Sequence, residues 1–387
     1  MKPIQYKALL CAALLAGVAG VAPAQAQSKI ELPSTLAWTA YDVGSGGYNQ
    51  AVAIGGALKR NAEVNLRVLP GKNDISRQVP LREGKVHFSA TGLGASFYAQ
   101  EGVYEFGEKN WGPQEVALLM ASNSDGGLSI GAAGDLGIKT VADLKGKRVA
   151  WVVGSPSLNE NNTAILSYAG LTWDDVKKVE FSGFGASWDG IINGQVDAAF
   201  ASTTSGKAYQ LENSPRGLVW PTLPHGDKAG WDRVQEKAPF FVPIMATEGA
   251  AMSKDKPWEG ATYPYPILLS YKSQDEKLVY NMTRAMIDYF PDYKGGAPGI
   301  DGWALDRQIL KWVVPYHPGA VKVFKEKGVW TDDMQAHNDK LFERQKVLKT
   351  AWAKMKDVDA GDKEAFEKKW MAARNAALKE AGFNPIW

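Results

Sequence analysis

The sequence predicts an α/β protein of two lobes with mixed or mainly parallel sheets, a hinge and a cleft between the lobes. Short strands that alternate with helices are typical of sheets with crossover connections. Roughly 360 residues remain after a predicted signal peptide, which is more than one domain usually contains. The strand–helix pattern restarts near Leu128, and this restart indicates the second lobe.

The first 26 residues have the pattern of a cleavable signal peptide. Lys2 and Lys7 are basic, residues 8–21 are almost wholly apolar, and Ala24-Gln25-Ala26 fits a small-residue cleavage site. The alternative is a buried N-terminal helix. Cleavage would remove Cys11, the one cysteine of the chain, so we expect a periplasmic protein without disulfides.

The charge balance argues against two classes of partner. The chain has 44 Lys and Arg and 42 Asp and Glu, and loss of Lys2 and Lys7 leaves 42 of each sign. A net charge near zero does not favour nucleic acid or an anionic membrane surface. No apolar run after residue 26 reaches about 18 residues, so we expect no stable membrane insertion.

The first lobe is predicted from three strands joined by two helices. Its strands alternate in polarity or are rich in Thr and aromatic residues, and they are Thr35–Tyr41, Glu63–Leu69 and Lys85–Ala90. Helices are predicted over Tyr48–Arg60 and Ile75–Glu83, although Pro80 interrupts the second pattern.

The second lobe is predicted from the same alternation. Its strands are Arg148–Val153, Lys178–Phe181 and Val196–Ala201, and its helices are Thr140–Leu144, Ser157–Ala169 and Ser187–Asn193. Thr172 and Asp175 are spaced as a capping box, which begins another short helical turn.

Three longer helices are predicted in the last third of the chain. Ser273–Tyr289 begins with a capping box of Ser273 and Glu276. Thr331–Lys356 and Asp362–Glu380 are charged and amphipathic, and they form a predicted extension over residues 331–387. The sequence favours packing of these helices on the body of the protein over a coiled-coil dimer arm.

The segment YDVGSGGYNQAVAIGGALK, residues 41–59, places a glycine cluster before a helix. A dinucleotide fingerprint is incomplete, because Asn49 stands where the third glycine is needed, and the chain has no P-loop motif. A helix N-terminus can bind a carboxylate as readily as a phosphate. The candidate contacts are Ser45, Gly46, Gly47 and Tyr48, and a plain tight turn is the alternative.

Gly154-Ser155-Pro156-Ser157 is a second turn of this type. Pro156 suits a first helical turn, and Ser155 or Ser157 can cap it. Two helix N-termini, one from each lobe, would then face each other across the cleft and clamp an anion.

Catalytic and metal-binding patterns are sparse. No i, i+4 pairing or neighbouring carboxylate pattern for a metal occurs at His87, His225, His317 or His337. We therefore predict a protein that is not an enzyme and that uses no metal or cofactor. The alternative is an exported hydrolase or lyase in which Asp42 and a histidine exchange protons with the substrate.

Six stretches resemble, in order, the TAXI family, the solute-binding proteins of one class of TRAP transporter. They lie between Trp38 and Gly328 and read GSGGYNQAVAIGGAL, DLKGKRVAWVVGSPS, AGLTWDDVKKVEFSGF, INGQVDAAFASTTSG, ATYPYPILLSY and YHPGAVKVFKEKG. The resemblance implies a type II periplasmic-binding fold whose chain crosses between lobes near residues 126 and 245. Lobe 1 would contain residues 27–125 and 246–330, and lobe 2 residues 126–245.

The resemblance also implies a function. Proteins of this family capture a small organic anion (a carboxylate, 2-oxoacid or amino acid) between the lobes, and the closed form docks on TRAP membrane subunits driven by an ion gradient. The loops PGKNDISR, residues 70–77, and SATGLGAS, residues 89–96, depart from the family pattern, which leaves the ligand open. A sensory receptor on the same scaffold is a further alternative.

Eight further residues are candidate ligand contacts on this resemblance and on their chemistry. Arg77 is the first of them, because a guanidinium can hold a carboxylate with two parallel hydrogen bonds; a surface arginine is the alternative. Trp188 would either stack on the ligand or pack in the core. The others are Asn73, Ser76, Thr91, Ser202, Thr203 and Tyr263.

Overall fold

A computed structural model describes residues 29–355, 358 and 361–387. The predicted signal peptide lies outside the described residues. The strands of the described part are β1 (Thr35–Tyr41), β2 (Asn65–Gly71), β3 (Phe88–Thr91), β4 (Val116–Ala121), β5 (Leu128–Ala133), β6 (Arg148–Val152), β7 (Lys177–Phe181), β8 (Ala198–Ser202), β9 (Leu218–Val219), β10 (Val242–Ala246), β11 (Trp258–Thr262) and β12 (Ile267–Tyr271).

The helices of the described part cover both faces of the sheets or extend the chain beyond them. They are α1 (Gly46–Ala62), α2 (Asp74–Arg82), α3 (Ala99–Glu101), α4 (Pro156–Tyr168), α5 (Phe184–Ile192), α6 (Gly206–Glu212), α7 (Lys228–Lys237), α8 (Glu276–Asp288), α9 (Phe290–Tyr293), α10 (Pro318–Glu326), α11 (Asp332–Ala353) and α12 (Lys363–Glu380).

The sheet of lobe 1 has the strand order β2-β1-β3-β12-β4. β1 pairs in parallel with β2 and β3, while β12 is antiparallel to β3 and β4. Every residue of β3 and β4 is buried, as expected for a sheet that is covered on both faces.

The sheet of lobe 2 repeats this layout with the order β7-β6-β8-β5-β9. β6 is parallel to β7 and β8, and β5 is antiparallel to β8 and β9. In each sheet the chain enters the antiparallel strand from the other lobe. The predicted α/β fold of two lobes with mixed sheets is confirmed, although the antiparallel strands were not predicted as elements.

The chain leaves the first sheet after β4 and returns to it before β12. The two connections lie side by side: Thr262 Oγ1 donates to the Gly126 carbonyl at 3.1 Å, and Thr247 N–H donates to the Asp125 carbonyl at 3.0 Å. Two adjacent crossing segments form the kind of joint about which lobes can rotate.

Two predicted helix caps have different outcomes. Thr172 and Asp175 form the predicted box, in which Asp175 Oδ2 accepts from Thr172 N–H at 3.0 Å. The predicted cap of α8 is wrong, because Asp275 takes the capping position and accepts from Leu278 N–H at 2.7 Å. A carboxylate one residue before the helix can cap it where Ser273 lies too far away.

The C-terminal helices α11 and α12 pack on lobe 1, as the sequence favours. Glu101 is fully buried and accepts from Arg344 Nε at 2.8 Å and from Arg374. Trp370 Nε1 donates to the Gly102 carbonyl at 2.6 Å. The extension is therefore joined to lobe 1 by a buried ion cluster rather than by apolar contact alone.

Candidate functional site

The N-terminus of α1 lies at the carboxyl end of β1. Gly44 has φ +83° and turns the chain, and Ser45 caps the helix by accepting from Tyr48 N–H at 3.2 Å. The Gly47 main-chain amide faces the Tyr265 hydroxyl. A Cβ on Gly47 would lie 2.9 Å from a ring carbon of Tyr41 and 3.2 Å from the Tyr265 hydroxyl, so a glycine is required there.

The N-terminus of α4 lies opposite, in lobe 2, and a carboxylate already occupies it. Ser157 N–H donates to Asp74 Oδ2 at 2.8 Å, and the Ser155 hydroxyl lies 3.5 Å from the same oxygen. Asp74 is the first residue of α2 in lobe 1 and is 0% exposed. The anion site that the sequence predicts at this helix is therefore filled by the protein itself.

Arg77 holds the carboxylate of Asp74 rather than that of a solute. Its Nη2 donates to Asp74 Oδ1, its Nη1 donates to the Gly71 carbonyl at 3.1 Å, and its Nε donates to Thr91 Oγ1 at 3.2 Å. The guanidinium carbon lies 3.7 Å from the centroid of the Tyr41 ring. In this closed structure Arg77 is buried behind Tyr41, which corrects its predicted place at the solute.

A small cavity lies between the two helix ends, with a volume of about 20 Å³. A cavity of this size holds about one water molecule. Lobe 1 and the segment before β12 contribute three tyrosines, and lobe 2 contributes the remaining side chains. The wall consists of Tyr41, Leu128, Ser157, Leu158, Asn161, Phe184, Phe200, Ala201, Ser202, Ser205, Tyr263 and Tyr265.

Two tyrosine hydroxyls in this wall face internal donors. Asn161 Nδ2 donates to the Tyr263 hydroxyl at 2.7 Å, and the Gly47 main-chain amide faces the Tyr265 hydroxyl. Burial raises the pKa of both phenols well above the ordinary value, so each keeps its proton at neutral pH. Each O–H can therefore donate to an acceptor in the cavity.

Two further polar atoms in the wall have no hydrogen-bond partner among the described residues. They are Ser157 Oγ and Asn161 Oδ1, and both residues are at most 2% exposed. Buried polar atoms without partners are unusual in native proteins. Their position in the cavity wall indicates that something else satisfies them when the site is occupied.

The lobes touch along the rim of the cavity. Asn73 Nδ2 donates to the Val153 carbonyl at 3.0 Å, and Phe184 N–H donates to the Lys72 carbonyl at 3.1 Å. Asp42 Oδ2 accepts from Gly185 N–H at 3.2 Å. The structure is therefore a closed form, and a solute larger than water requires these bonds to open.

Three of the predicted site residues line the cavity, namely Ser157, Ser202 and Tyr263. Others lie next to it at helix ends, at Ser45, Gly46, Gly47, Tyr48 and Ser155. Asn73 and Ser76 form the capping box of α2. The structure brings these groups together at the facing carboxyl ends of the two sheets, where open α/β sheets bind ligands.

Two predicted contacts lie elsewhere. Trp188 is 0% exposed in the core of lobe 2, where its Nε1 donates to the Phe200 carbonyl at 3.1 Å, and this corrects the predicted stacking. Thr203 Oγ1 accepts from Gly127 N–H at 2.9 Å and donates to the Glu248 carbonyl at 2.8 Å. Thr203 therefore joins the two connections between the lobes and does not line the cavity.

Sequence reasoning missed several residues of the site. Tyr41 ends the predicted first strand, and Asn161 is four residues after Ser157 on one face of α4, so both had a local signal. Asp74 had a local signal only for its pair with Arg77, three residues later. Its bond to α4 had none, because that bond depends on the approach of the other lobe.

The alternative acid–base pair is not assembled in this structure. Each histidine ring bonds to main-chain groups rather than to Asp42. His87 Nδ1 accepts from Ala37 N–H, and His317 Nδ1 accepts from Gly319 N–H. The rings of His225 and His337 bond to main-chain carbonyls. Among the described residues, no group of three His, Cys, Asp or Glu side chains is placed to hold a metal. Nor does that part of the chain contain a helix long and apolar enough to cross a membrane.

Comparison with known proteins identifies the family. The chain belongs to the NMT1-like family, whose model matches residues 43–328. This match covers most of the chain and ends before α11, so the C-terminal extension lies outside it.

Several solved structures are similar in part. An ancestral arginine-binding protein bound to arginine is 16% identical with a TM-score of 0.42, over 69% of this chain and 97% of that chain. The periplasmic aliphatic sulphonate-binding protein SsuA from Escherichia coli is 16% identical with a TM-score of 0.42, over 91% and 89%. The amino acid ABC transporter substrate-binding protein AbpA from Streptococcus pneumoniae, bound to L-arginine, is 12% identical with a TM-score of 0.39, over 81% and 96%. Identities this low carry no information about a shared solute.

Proposed function

We propose that this protein is a periplasmic solute-binding receptor that captures a small organic anion by closure of its lobes. The candidate solutes are a carboxylate, a 2-oxoacid or an amino acid. The observation that carries this proposal is the cavity between the lobes, in which Tyr263 and Tyr265 each have a hydroxyl proton to donate. Donors that are held in place by other bonds favour an acceptor such as a carboxylate oxygen.

The electrostatic setting of α1 supports an anion at this end of the cavity. The positive end of the α1 dipole lies at Gly46 and Gly47, beside the Tyr41 and Tyr265 side chains of the cavity wall. Micromolar affinity corresponds to about −8 kcal/mol. A few charge-assisted hydrogen bonds, at about 1.5–3 kcal/mol each, together with an apolar wall reach this value.

Lobe movement is part of the proposed function. A site with room for about one water molecule admits no organic solute until the lobes separate. Binding then shifts the population towards the closed form. We propose that the closed form docks on TRAP membrane subunits of the TAXI type, which take up the solute with an ion gradient and without ATP.

The first experiment is to identify the solute. Protein purified gently from periplasm is analysed by native mass spectrometry, and the released molecule is titrated back by calorimetry. We expect a small anion that binds one to one with micromolar or better affinity. Chemical conversion of the molecule, lost in Asp42→Asn, would support the exported-enzyme alternative instead.

The transport assignment needs a separate test. Cells that carry this protein and its genetically linked membrane subunits are compared with cells that lack only this protein. We expect uptake of the labelled solute to require the receptor and to stop when the ion gradient is collapsed. Normal uptake without it, together with loss of a solute-induced response, would indicate the sensory alternative.

A further inference from the structure

We infer that Asp74 is a specificity-determining residue that restricts the receptor to solutes with a single carboxylate. This inference rests on the proposed function and names the solute class more narrowly. Two facing helix N-termini would suit a dicarboxylate with one charge at each end. In this protein the N-terminus of α4 is already occupied, because the Asp74 carboxylate accepts a hydrogen bond from its main chain.

The position of the Asp74 carboxylate is fixed by the residues around it. The carboxylate is fully buried and has partners on two sides, with Ser157 N–H from lobe 2 and the Arg77 guanidinium from lobe 1. A Cβ on Gly94 would overlap with the Asp74 carboxylate and would lie 2.6 Å from Ser157 Cβ. The loop can therefore accept this carboxylate only because residue 94 is a glycine.

A second carboxylate of the solute would be repelled at the α4 end of the cavity. It would lie next to Asp74, and the Arg77 guanidinium beside Asp74 is already paired with that residue. Juxtaposed like charges cost several kcal/mol, and a buried carboxylate without a partner costs more.

The wall near α4 indicates what the other end of the solute offers instead. Apolar side chains from lobe 2, including Phe184 and Phe200, lie beside Ser157 and Asn161. The unpartnered Ser157 Oγ and Asn161 Oδ1 suit an uncharged amide or hydroxyl. The site therefore matches a monocarboxylate whose far end is apolar or neutral and polar.

The experiment uses pairs of solutes that differ in one charge and hardly in shape. Mature protein freed of its solute is titrated with glutamine against glutamate and with succinamate against succinate. We expect each neutral-ended member to bind about 100-fold more tightly than its dicarboxylate partner. In Asp74→Asn this ratio should fall below about tenfold, because the opposing charge is gone.

Two variants keep the result interpretable. Asp74→Asn leaves Arg77 as an unpaired buried cation, so Asp74→Ala combined with Arg77→Gln removes both charges together and should also lower the ratio. Asp135→Asn is the matched control, since Asp135 pairs with Arg216 on the exposed surface of lobe 2, and its ratio should equal that of the wild type.

The outcomes separate the two proposals. Equal affinity for glutamine and glutamate or for succinamate and succinate in the wild type, or a ratio that persists in both Asp74 variants, would overturn the role of Asp74 while leaving a carboxylate receptor intact. Failure of every carboxylate to bind would contradict the proposed function itself, and the inference with it.

Discussion

The two helix N-termini that face each other across the cleft share one local design and differ in what fills them. Each follows a strand and a glycine in the left-handed region, Gly44 with φ +83° and Gly154 with φ +69°. At α1 the groups beside the first amides are hydroxyls of the protein: Ser45 Oγ accepts from Tyr48 N–H, and the Tyr265 hydroxyl faces the Gly47 amide. A full negative charge, that of Asp74, bonds to α4. A solute oxygen can replace a hydroxyl at α1, whereas a solute carboxylate at α4 would lie beside the like charge of Asp74.

This difference shows how two lobes with the same strand layout can give a cleft whose two ends differ in charge. The two sheets have the same strand layout, so topology alone would give two equivalent anion sites. Lobe 1 contributes α2, whose first residue reaches across to α4. One end of the cleft thus attracts an anion and the other already contains one.

The largest expected effect concerns the end that is filled. Arg77→Ala should lower the free energy of unfolding by about 3–5 kcal/mol, because it leaves the buried Asp74 carboxylate without its cation. Urea denaturation of the solute-free protein measures this loss. The double variant Asp74→Ala/Arg77→Ala should recover much of it, since it buries no unpaired charge.

The exposed pair of Lys228 with Asp232 is the control. Lys228→Ala should cost less than about 1 kcal/mol, as exposed pairs do. If Arg77→Ala were equally mild, the ion pair at α4 would not be structural, and the contrast between the two helix ends would fail.

Glu160, an acid of α4 itself, adds a pH dependence to the stability of the protein. Burial raises the pKa of Glu160 to about 7, opposed by the hydrogen bond with Tyr104 and by Lys237 and aided by Glu105. The folded protein keeps this proton up to about pH 7, whereas the unfolded chain releases it near the ordinary value of 4.5. Stability from this group is therefore present below pH 4.5 and is lost as pH rises to about 7.

Glu160→Gln removes this pH dependence. Compared with the wild type, the variant should be more stable by about 2 kcal/mol at pH 8 and nearly equal at pH 4.5. Chemical denaturation at both pH values measures the difference. A constant difference across the range would mean that Glu160 titrates normally.

At the open end, Gly47→Ala should weaken solute binding by about 2 kcal/mol, because the new Cβ meets the Tyr41 ring and the Tyr265 hydroxyl. Calorimetry with the native solute measures the change. Gly56→Ala in the same helix is the control: its Cβ meets only the end of the Arg60 side chain, so binding should be unchanged and the helix slightly more stable. Equal effects of both variants would mean that the α1 N-terminus does not contact the solute.

The smallest expected effect comes from a single hydroxyl. Tyr265→Phe should weaken carboxylate binding by about 1.5 kcal/mol through loss of one charge-assisted donor. Tyr271→Phe is matched chemically, but the Tyr271 hydroxyl bonds to Gln78 and Gln114 away from the cavity. The affinity of Tyr271→Phe for the carboxylate should therefore equal that of the wild type. If Tyr271→Phe lost as much affinity as Tyr265→Phe, the effect would not be local to the cavity.

Local patterns were enough for the fold and for both helix ends. Strand–helix alternation predicted the two lobes, and the Gly/Ser turns predicted where α1 and α4 begin, because caps and left-handed glycines depend on neighbours in the chain. The buried antiparallel strands β5 and β12 lack such signals, since their residues are apolar on both faces and the partners are distant in sequence.

Two residues were predicted at the solute because the sequence does not show what they pack against. Arg77 was correctly predicted to hold a carboxylate, but its partner is Asp74, three residues earlier in the same helix. Trp188 was predicted to stack on the ligand or to pack in the core, and it is a core residue in the structure. Only tertiary packing distinguishes these cases.

A crystal structure with the native solute bound would test the difference between the two helix ends most directly. We expect the solute carboxylate at the N-terminus of α1, within hydrogen-bond distance of the Tyr263 or Tyr265 hydroxyl, and Asp74 still bonded to Ser157 N–H. A solute carboxylate bound to the amides of α4, with Asp74 and Arg77 pulled apart, would contradict this arrangement.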